Sequence, residues 1–314
     1  MASNPQFWQH QGMPVPTSLA GLDYPGMVHE VDERWTMSYA AGLSDNLEAY
    51  LDTTREGGVV AHPLFSVCPE WPVIVGSRNM SIEAGVTADE VATGVHATHD
   101  LTVHRLVRPG DRLSTSMSIV GVVDKSPGAI TTTRLVTVDQ QKRPVATTTQ
   151  HAIYLGVPAV GDPVVDPDPP SPLPGVSRVG DPIEVQVPLP ATAAHIYTEC
   201  ARIWNPIHTD PAVARHAGLP GIIMHGTANL AHGVSAVIAQ FAPGRPERVQ
   251  RITGRFAAMV LLPSTLTVRM WAPEPQPLDN GAHTSGVAFE VLNEQGEAAV
   301  RDGIVVLGPG DSQD

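Results

Sequence analysis

The residues best placed to do chemistry sit in one stretch, Asn205-Pro206-Ile207-His208-Thr209-Asp210-Pro211, followed by a loop that ends in His225-Gly226-Thr227. Pro206 keeps the residue before it out of the helical region, so residues 196–204 are predicted to form a short helix that stops there. His208 then sits on a tight loop bracketed by prolines. A histidine held this way serves as a general acid or base near neutral pH. His225-Gly226 opens a second predicted helix over 227–241, with Gly226 or Thr227 near its N-cap. Free N–H groups at such a start stabilise negative charge on an acyl oxygen as an enolate forms. Glycine there lets a carbonyl approach the backbone closely. Together these are the parts needed to add water across an α,β-unsaturated acyl group, or to remove it.

The neighbouring residues divide into shapers and binders. Asn205 reads as a loop-shaping residue, because its side chain readily bonds nearby backbone. Asp210 reads as a structural partner that orients His208. Arg202 has two readings, a contact to a substrate carboxylate or phosphate and a solvated charge on a helix face. His225 and Thr227 are read as lining the substrate site. No metal is expected at His225 with His208 or His232, since no metal-type Cys/His spacing supports one. His96, His99 and His104 lie along one apolar-polar run. Strand alternation would put His96 and His104 on one face and His99 on the other, and no metal is expected there either.

Two similar halves must position these residues. In the first, residues 101–106 alternate and Arg108-Pro109-Gly110-Asp111 follows; strands are predicted at 114–123, 130–138 and 145–155, closing on Leu155-Gly156. In the second, residues 251–259 alternate and Leu262-Pro263 follows; strands are predicted at 266–271, 285–292 and 298–307, closing on Leu307-Gly308. A helical stretch precedes each series, over 87–97 and over 227–241. This is a duplicated α+β module, and pairing the two copies would cover one sheet edge of each. Residues 158–182 between them are rich in proline and aspartate. Proline locks φ and removes a donor, so the segment reads as a semi-rigid linker dividing 1–157 from 183–314.

The run Asn205-Pro206-Ile207-His208-Thr209-Asp210, with His225-Gly226 and Arg255-Phe256 downstream, resembles the MaoC-like enoyl-CoA hydratases and acyl dehydratases. Arg108-Pro109-Gly110-Asp111 stands in the matching place of that family's N-terminal domain. The resemblance implies a double hot-dog fold, in which each module is a long helix wrapped by an antiparallel sheet. It implies hydration or dehydration of an acyl-CoA or carrier-protein thioester, with His208 as the acid/base and Gly226 as the oxyanion donor. No cofactor is implied beyond the coenzyme A or carrier group of the substrate itself. Residues 39–51 occupy the place of the active segment in the first half and lack Asn-Pro-x-His, which implies a non-catalytic N-terminal half.

One departure bears on the reaction. The family pairs its histidine with an aspartate five residues earlier, where this chain has Ile203, and its Ser-Gly is here Ala201-Arg202. Three readings stay open. Another carboxylate substitutes, either Glu199, four residues before Ile203 and so on the same helical face, or Asp210. His208 acts alone on a more acidic α-proton. Or the fold binds a thioester without hydrating it, as an assembly subunit would. Thioester hydrolysis on the same fold is a further alternative.

Composition bounds these readings. A chain of 314 residues suits two domains of about 150 each. A net charge of −13 argues against nucleic acid and anionic membrane as main partners. No apolar run reaches about 18 residues, so no transmembrane helix is expected, and Met1-Ala2-Ser3-Asn4-Pro5-Gln6 has no signal-peptide pattern. Cys68 and Cys200 give neither a disulfide framework nor zinc spacing, which suits a reducing, cytoplasmic setting. A homodimer stays open, although a duplicated chain supplies within one polypeptide the pairing that single modules find as dimers.

Overall fold

The computed structural model describes residues 14–87, 91, 94–273, 275–277 and 283–309; the N-terminal Met1–Gln6 pattern lies outside them. In the first half come β1 (Val15–Pro16), β2 (Asp23–Glu30), α1 (Glu33–Gly42), α2 (Glu48–Leu51) and α3 (Val67–Glu83), then β3 (Gly94–Val103), β4 (Arg112–Lys125), β5 (Gly128–Val138), β6 (Pro144–Leu155) and β7 (Ala159–Val160). The second half holds β8 (Ile183–Leu189), α4 (Ala193–Ala201), α5 (Pro211–His216) and α6 (Gly226–Phe241). It continues with β9 (Val249–Phe256), β10 (Ser264–Met270), β11 (Pro275–Pro277), β12 (His283–Leu292) and β13 (Ala298–Leu307).

One 11-stranded sheet runs through both halves in the order β2-β4-β5-β6-β3-β9-β13-β12-β10-β8, with β11 beside β12. The halves meet where β3 pairs antiparallel with β9, from Thr98 opposite Arg255 to Thr102 opposite Arg251. The seam covers an edge strand of each half, which would otherwise offer unpaired backbone groups. α3 packs against β2 and β4, and α6 against β9, β10, β12 and β13, so each half is a helix held in the concave face of its sheet. This is the α+β double hot-dog architecture the sequence predicts. α6 is buried on nearly every side through Ala228, Leu230, Ala231, Val234, Val237 and Ile238. Each larger side chain among these contributes about 1.5–3 kcal/mol, enough to hold the helix start, and the site at it, in one place.

The helix of the first half differs from expectation. The sequence points to 87–97, yet residues 94–97 open β3, and 88–90 and 92–93 lie outside the described residues. The helix is α3, which carries Pro69 in its first turn, where no donor is needed, and Pro72 inside it. Those prolines hide it from a search for helical spacing. β2, β8 and α5 are likewise absent from the sequence reading.

The segment between the halves lies along the outer face of the sheet. Val164 forms an antiparallel bridge with Val122. The Arg134 guanidinium donates to both oxygens of Asp166, at 2.8 and 2.9 Å, and to the Asp168 carbonyl. Arg251 of β9 donates to the Ser171 carbonyl at 2.7 Å. The same guanidinium reaches across the seam to both oxygens of Asp100 on β3, at 2.7 and 2.6 Å. A paired, planar contact of this kind is among the stronger hydrogen-bonded pairs, and here it pins one half, the other half and the connecting segment together.

Candidate active site

The chain turns into the site at the end of α4. Arg202 adopts a left-handed conformation, φ 57°, and the N–H of Ile203 returns to the Thr198 carbonyl at 3.1 Å. This is a Schellman-type stop with a non-glycine residue where glycine is usual. It throws Ile203 back against the helix, where it is 5% exposed within the core. Glu199 does not follow it. The helical spacing that would align the two residues ends at Ala201, and Glu199 stays on the exposed face, where its carboxylate accepts from Trp204 Nε1 at 3.5 Å. The expectation that Glu199 supplies a carboxylate beside His208 is therefore corrected.

His208 ends a single 3-10 turn, Pro206–His208, whose N-cap Asn205 is extended. The Asn205 carbonyl accepts the His208 N–H at 3.1 Å, so Asn205 shapes the loop through its backbone. The imidazole is 9% exposed. Its Nδ1 lies 2.9 Å from the Ile223 carbonyl. A carbonyl only accepts, so Nδ1 is assigned the hydrogen and Nε2 a free lone pair. Burial lowers the His208 pKa to about 4, with the Ile223 carbonyl opposing the shift. The ring is therefore neutral at physiological pH and able to take a proton at Nε2.

Asp210 does not orient this ring. Its carboxylate accepts from the N–H groups of Ala212 and Val213, at 2.7 and 3.3 Å, and caps α5. An aspartate directly before a Pro-initiated helix is a favoured cap, and that role takes the side chain away from His208. The orienting role falls to the Ile223 carbonyl, which side-chain spacing does not reveal.

His225 lies face to face with His208, centroids 3.7 Å apart and planes inclined by 26°. Its Nε2 is 3.2 Å from Thr198 Oγ1. Burial first, then His208 beside it, holds His225 well below the ordinary histidine range. The Ile203 backbone opposes the shift, but Nδ1 has no partner with hydrogen-bond geometry among the described residues. His225 is the N-cap of α6, and no side chain caps the helix start. The N–H groups of Ala228 and Asn229 return to the His225 carbonyl. Those of Gly226 and Thr227 come before them and are left for another acceptor. The Cβ position of Gly226 lies 3.1 Å from the Phe256 ring, so a larger residue there would force ring and helix apart.

The remaining placements follow the packing. Thr227 Oγ1 accepts from the Tyr197 hydroxyl at 3.2 Å, and that hydroxyl is 3.4 Å from the Tyr39 hydroxyl of α1. Thr198, Tyr197 and Tyr39 thus support the site without being singled out by sequence; the available signal was a pair of polar residues, Tyr197 and Thr198, on the otherwise apolar inner face of α4. Arg202 stacks over the Trp35 ring of α1, 4.1 Å from its centroid, a cation–π contact across the two halves. Arg202 is itself exposed, so this contact is compatible with the solvated charge of the sequence reading. Elsewhere, Ser235 and His62 form a Ser-His pair, 3.2 Å apart. His62 Nδ1 accepts from the Leu64 N–H at 3.1 Å, so its Nε2 donates to Ser235 and cannot activate it. An open hollow of about 370 Å³ near Asp124, Pro127 and Val157 is bordered by none of the site residues. Among the described residues no group of three or more His, Cys, Asp or Glu is arranged to hold a metal ion.

Comparison with known proteins points the same way as the geometry. A MaoC like domain matches residues 176–285, and an MFE-2 hydratase 2 N-terminal domain matches residues 29–156. The peroxisomal multifunctional enzyme type 2 of Drosophila melanogaster is 25% identical over 250 residues, which are 77% of this chain and 41% of that protein. The chain therefore spans about two-fifths of that relative's length. The 3-hydroxyacyl-thioester dehydratase Y of Mycobacterium tuberculosis is 24% identical, over 83% of this chain and 88% of its own. The crystal structure of a MaoC-like dehydratase from Phytophthora capsici superposes with a TM-score of 0.77 at 20% identity, covering 94% of this chain and 98% of that one, a likeness of fold.

Proposed function

Because the chain belongs to the MaoC-like dehydratase family, we propose that it adds water to α,β-unsaturated acyl thioesters, or removes it from 3-hydroxyacyl thioesters, with coenzyme A as the thiol. The observation that carries the reading is the free Nε2 of a neutral His208 packed against His225, the N-cap of an α6 start whose N–H groups meet no side-chain cap among the described residues. In the hydration direction, Nε2 takes a proton from water as the water oxygen bonds to the β-carbon. The C=C electron pair moves toward the carbonyl, and the thioester oxygen gains negative charge. The Gly226 and Thr227 N–H groups receive that charge. Protonated His208 then returns its proton to the α-carbon, so the elements of water are added and the imidazole is restored. Its low pKa makes it a strong acid for this second step and a weak base for the first.

Ile203 stands where the resemblance places an aspartate, and neither Glu199 nor Asp210 reaches His208. One histidine then serves both steps, which suits thioesters whose α-proton is already acidified. The reading needs no metal or redox cofactor; the coenzyme A or carrier-protein group arrives with the substrate. Thioester hydrolysis is the alternative on this fold.

The test is turnover of crotonyl-CoA and longer enoyl thioesters by wild type and His208→Ala. Loss of enoyl absorbance by wild type, reduced about 10²–10⁴-fold in the variant, supports the reading. Equal rates in the two proteins sink it, and release of free thiol in step with the loss of the enoyl band moves the assignment to a thioesterase. The whole chain's compartment and assembly belong to the same proposal. Among the described residues no helix is long and apolar enough to cross a membrane, and both cysteines are free thiols. We place the protein in the cytosol, with cell fractionation as the test against the peroxisome. Light scattering decides between the monomer and a homodimer.

A further inference from the structure

β3 carries a bulge that brings two histidines together. His96 pairs with Ala152 and Thr98 with His151, so β3 advances two residues while β6 advances one. His96 therefore lands on the same face as His99, against the expectation from strict alternation. Their rings are 5.5 Å apart, inclined by 61°. The face is the concave one. His99 sits opposite Gly254 of β9, and a Cβ on Gly254 would meet the Leu230 side chain of α6 at 2.9 Å. His96 in turn contacts the Phe256 ring, centroids 4.7 Å apart. Phe256 is also the ring that Gly226 approaches. A continuous line of contacts thus runs from the start of α6 through the half-buried Phe256 and His96 to the buried His99, along the seam between the halves.

His99 is 1% exposed, and neither of its ring nitrogens has a hydrogen-bond partner among the described residues. Leaving a buried polar group unpaired is costly, so such a ring is expected to meet its partner from outside the chain. His96 Nε2 is 3.0 Å from the Thr98 carbonyl, which fixes its hydrogen there and leaves Nδ1 as an acceptor. Gln150 of β6, 8% exposed, stands directly opposite His99 and adds an amide to the same face. Burial lowers His96 to about 4 and His99 to about 3. Both rings are then neutral, and no arginine or lysine accompanies them in this line of contacts. The set matches an uncharged oxygen, which donates or accepts, and not a carboxylate, whose charge would be buried unpaired.

We infer that His99, with His96 and Gln150, recognises a hydroxyl or keto oxygen carried on the acyl chain beyond the reacting carbons. The inference rests on the proposed thioester site, and it adds the class of acyl group: an oxygenated chain in preference to a plain hydrocarbon one. A plain chain would leave His99 unpaired in the complex as well, whereas an oxygenated one relieves it on binding.

The test compares binding and turnover. Octanoyl-CoA, ω-hydroxyoctanoyl-CoA and an internal keto-octanoyl-CoA are titrated by calorimetry into wild type, His99→Leu and His99→Gln. The corresponding enoyl thioesters are assayed for hydration in parallel. One oxygenated ligand should bind wild type at least about 10-fold more tightly than octanoyl-CoA, the worth of one hydrogen bond. In His99→Leu that ratio should collapse toward one, with octanoyl-CoA binding unchanged or tighter; His99→Gln should keep part of it. Equal binding of all three ligands by wild type overturns the inference, as does an unchanged ratio in a folded His99→Leu protein; an ordered water satisfying the ring would give that result. Absence of binding by any of them overturns it too. Selective binding without hydration of any enoyl thioester leaves the recognition site standing and removes the hydratase reading alone.

Discussion

The imidazoles of His208 and His225 lie stacked at 3.7 Å, and each is held by an oxygen of a different element: Ile223 for His208, Thr198 for His225. Neither ring can charge without burying a cation against the other. The stack therefore favours two neutral rings, and protonating one makes the other harder to protonate. Thr198→Val removes the one side-chain hydrogen bond to His225 among the described residues. We expect kcat to fall several-fold with little change in KM, since His225 sets the start of α6 where charge develops, while the acyl contacts stay in place. Equal loss in kcat and gain in KM would instead assign Thr198 to substrate binding.

The pH dependence of kcat/KM should carry the same signature. His208 works as a base only when neutral, and burial lowers its pKa to about 4. Activity should therefore persist well below pH 6.5 and fall only as pH approaches 4, provided the protein stays folded. An acid limb centred near the ordinary histidine value would mean that the working base lies elsewhere.

Ile203→Asp should raise hydration by at least about 10-fold by placing a carboxylate beside the histidine stack. Ile203 is 5% exposed, so the change also places a polar group in the core at a cost of about 1–3 kcal/mol, seen as a lower Tm. A folded variant with an unaltered rate would show that the site does not seat water in the hydratase manner.

Acid should weaken the fold through the buried histidines. Burial lowers His62 and His232 to about 4 and His99 to about 3, below the unfolded value near 6.5. The unfolded chain then binds more protons, so stability is full above about pH 6.5 and declines as pH drops toward 4, by up to about 1.4 kcal/mol per pH unit for each histidine. Glu70 acts in the opposite sense: burial raises it to about 7, so it favours the folded state least when ionised. Glu70→Gln should leave Tm near wild type at pH 5 and raise it at pH 8. A variant with the same shift at both pH values would show that Glu70 does not titrate in the fold.

The seam between the halves should depend on Asp100. Its two oxygens hold Arg251 at 2.7 and 2.6 Å, and Asp100→Ala leaves that guanidinium without a carboxylate on the outer face. The expected loss is about 1–3 kcal/mol in chemical denaturation. Limited proteolysis should then cut sooner near Ser171, whose carbonyl the same arginine holds.

Much of the architecture was legible because alternation survives wherever a strand has one buried face. β4, β5, β6, β12 and β13 lie within a few residues of their predicted spans. α3 was not legible, because Pro69, Pro72 and Gly76 look like breakers until a sheet packs against the helix. In the site, proline and glycine announced the His208 loop and the start of α6. Glu199 misled because helical spacing was extended past Arg202, whose left-handed backbone ends it. The Ile223 carbonyl and the bulge after His96 were out of reach for a common reason. Both depend on backbone geometry that side-chain identities do not encode.

The β3–β9 seam has one more consequence. In an assembly of two identical subunits, every substitution is made twice, so a change that suits one wall of the interior is imposed on its mirror position. Here the two walls are separate stretches of a single chain. A replacement at His99 alters one lining alone and leaves the opposite half as it was. The interior can therefore become lopsided, tuned for its ligand on one side and kept constant for chemistry on the other.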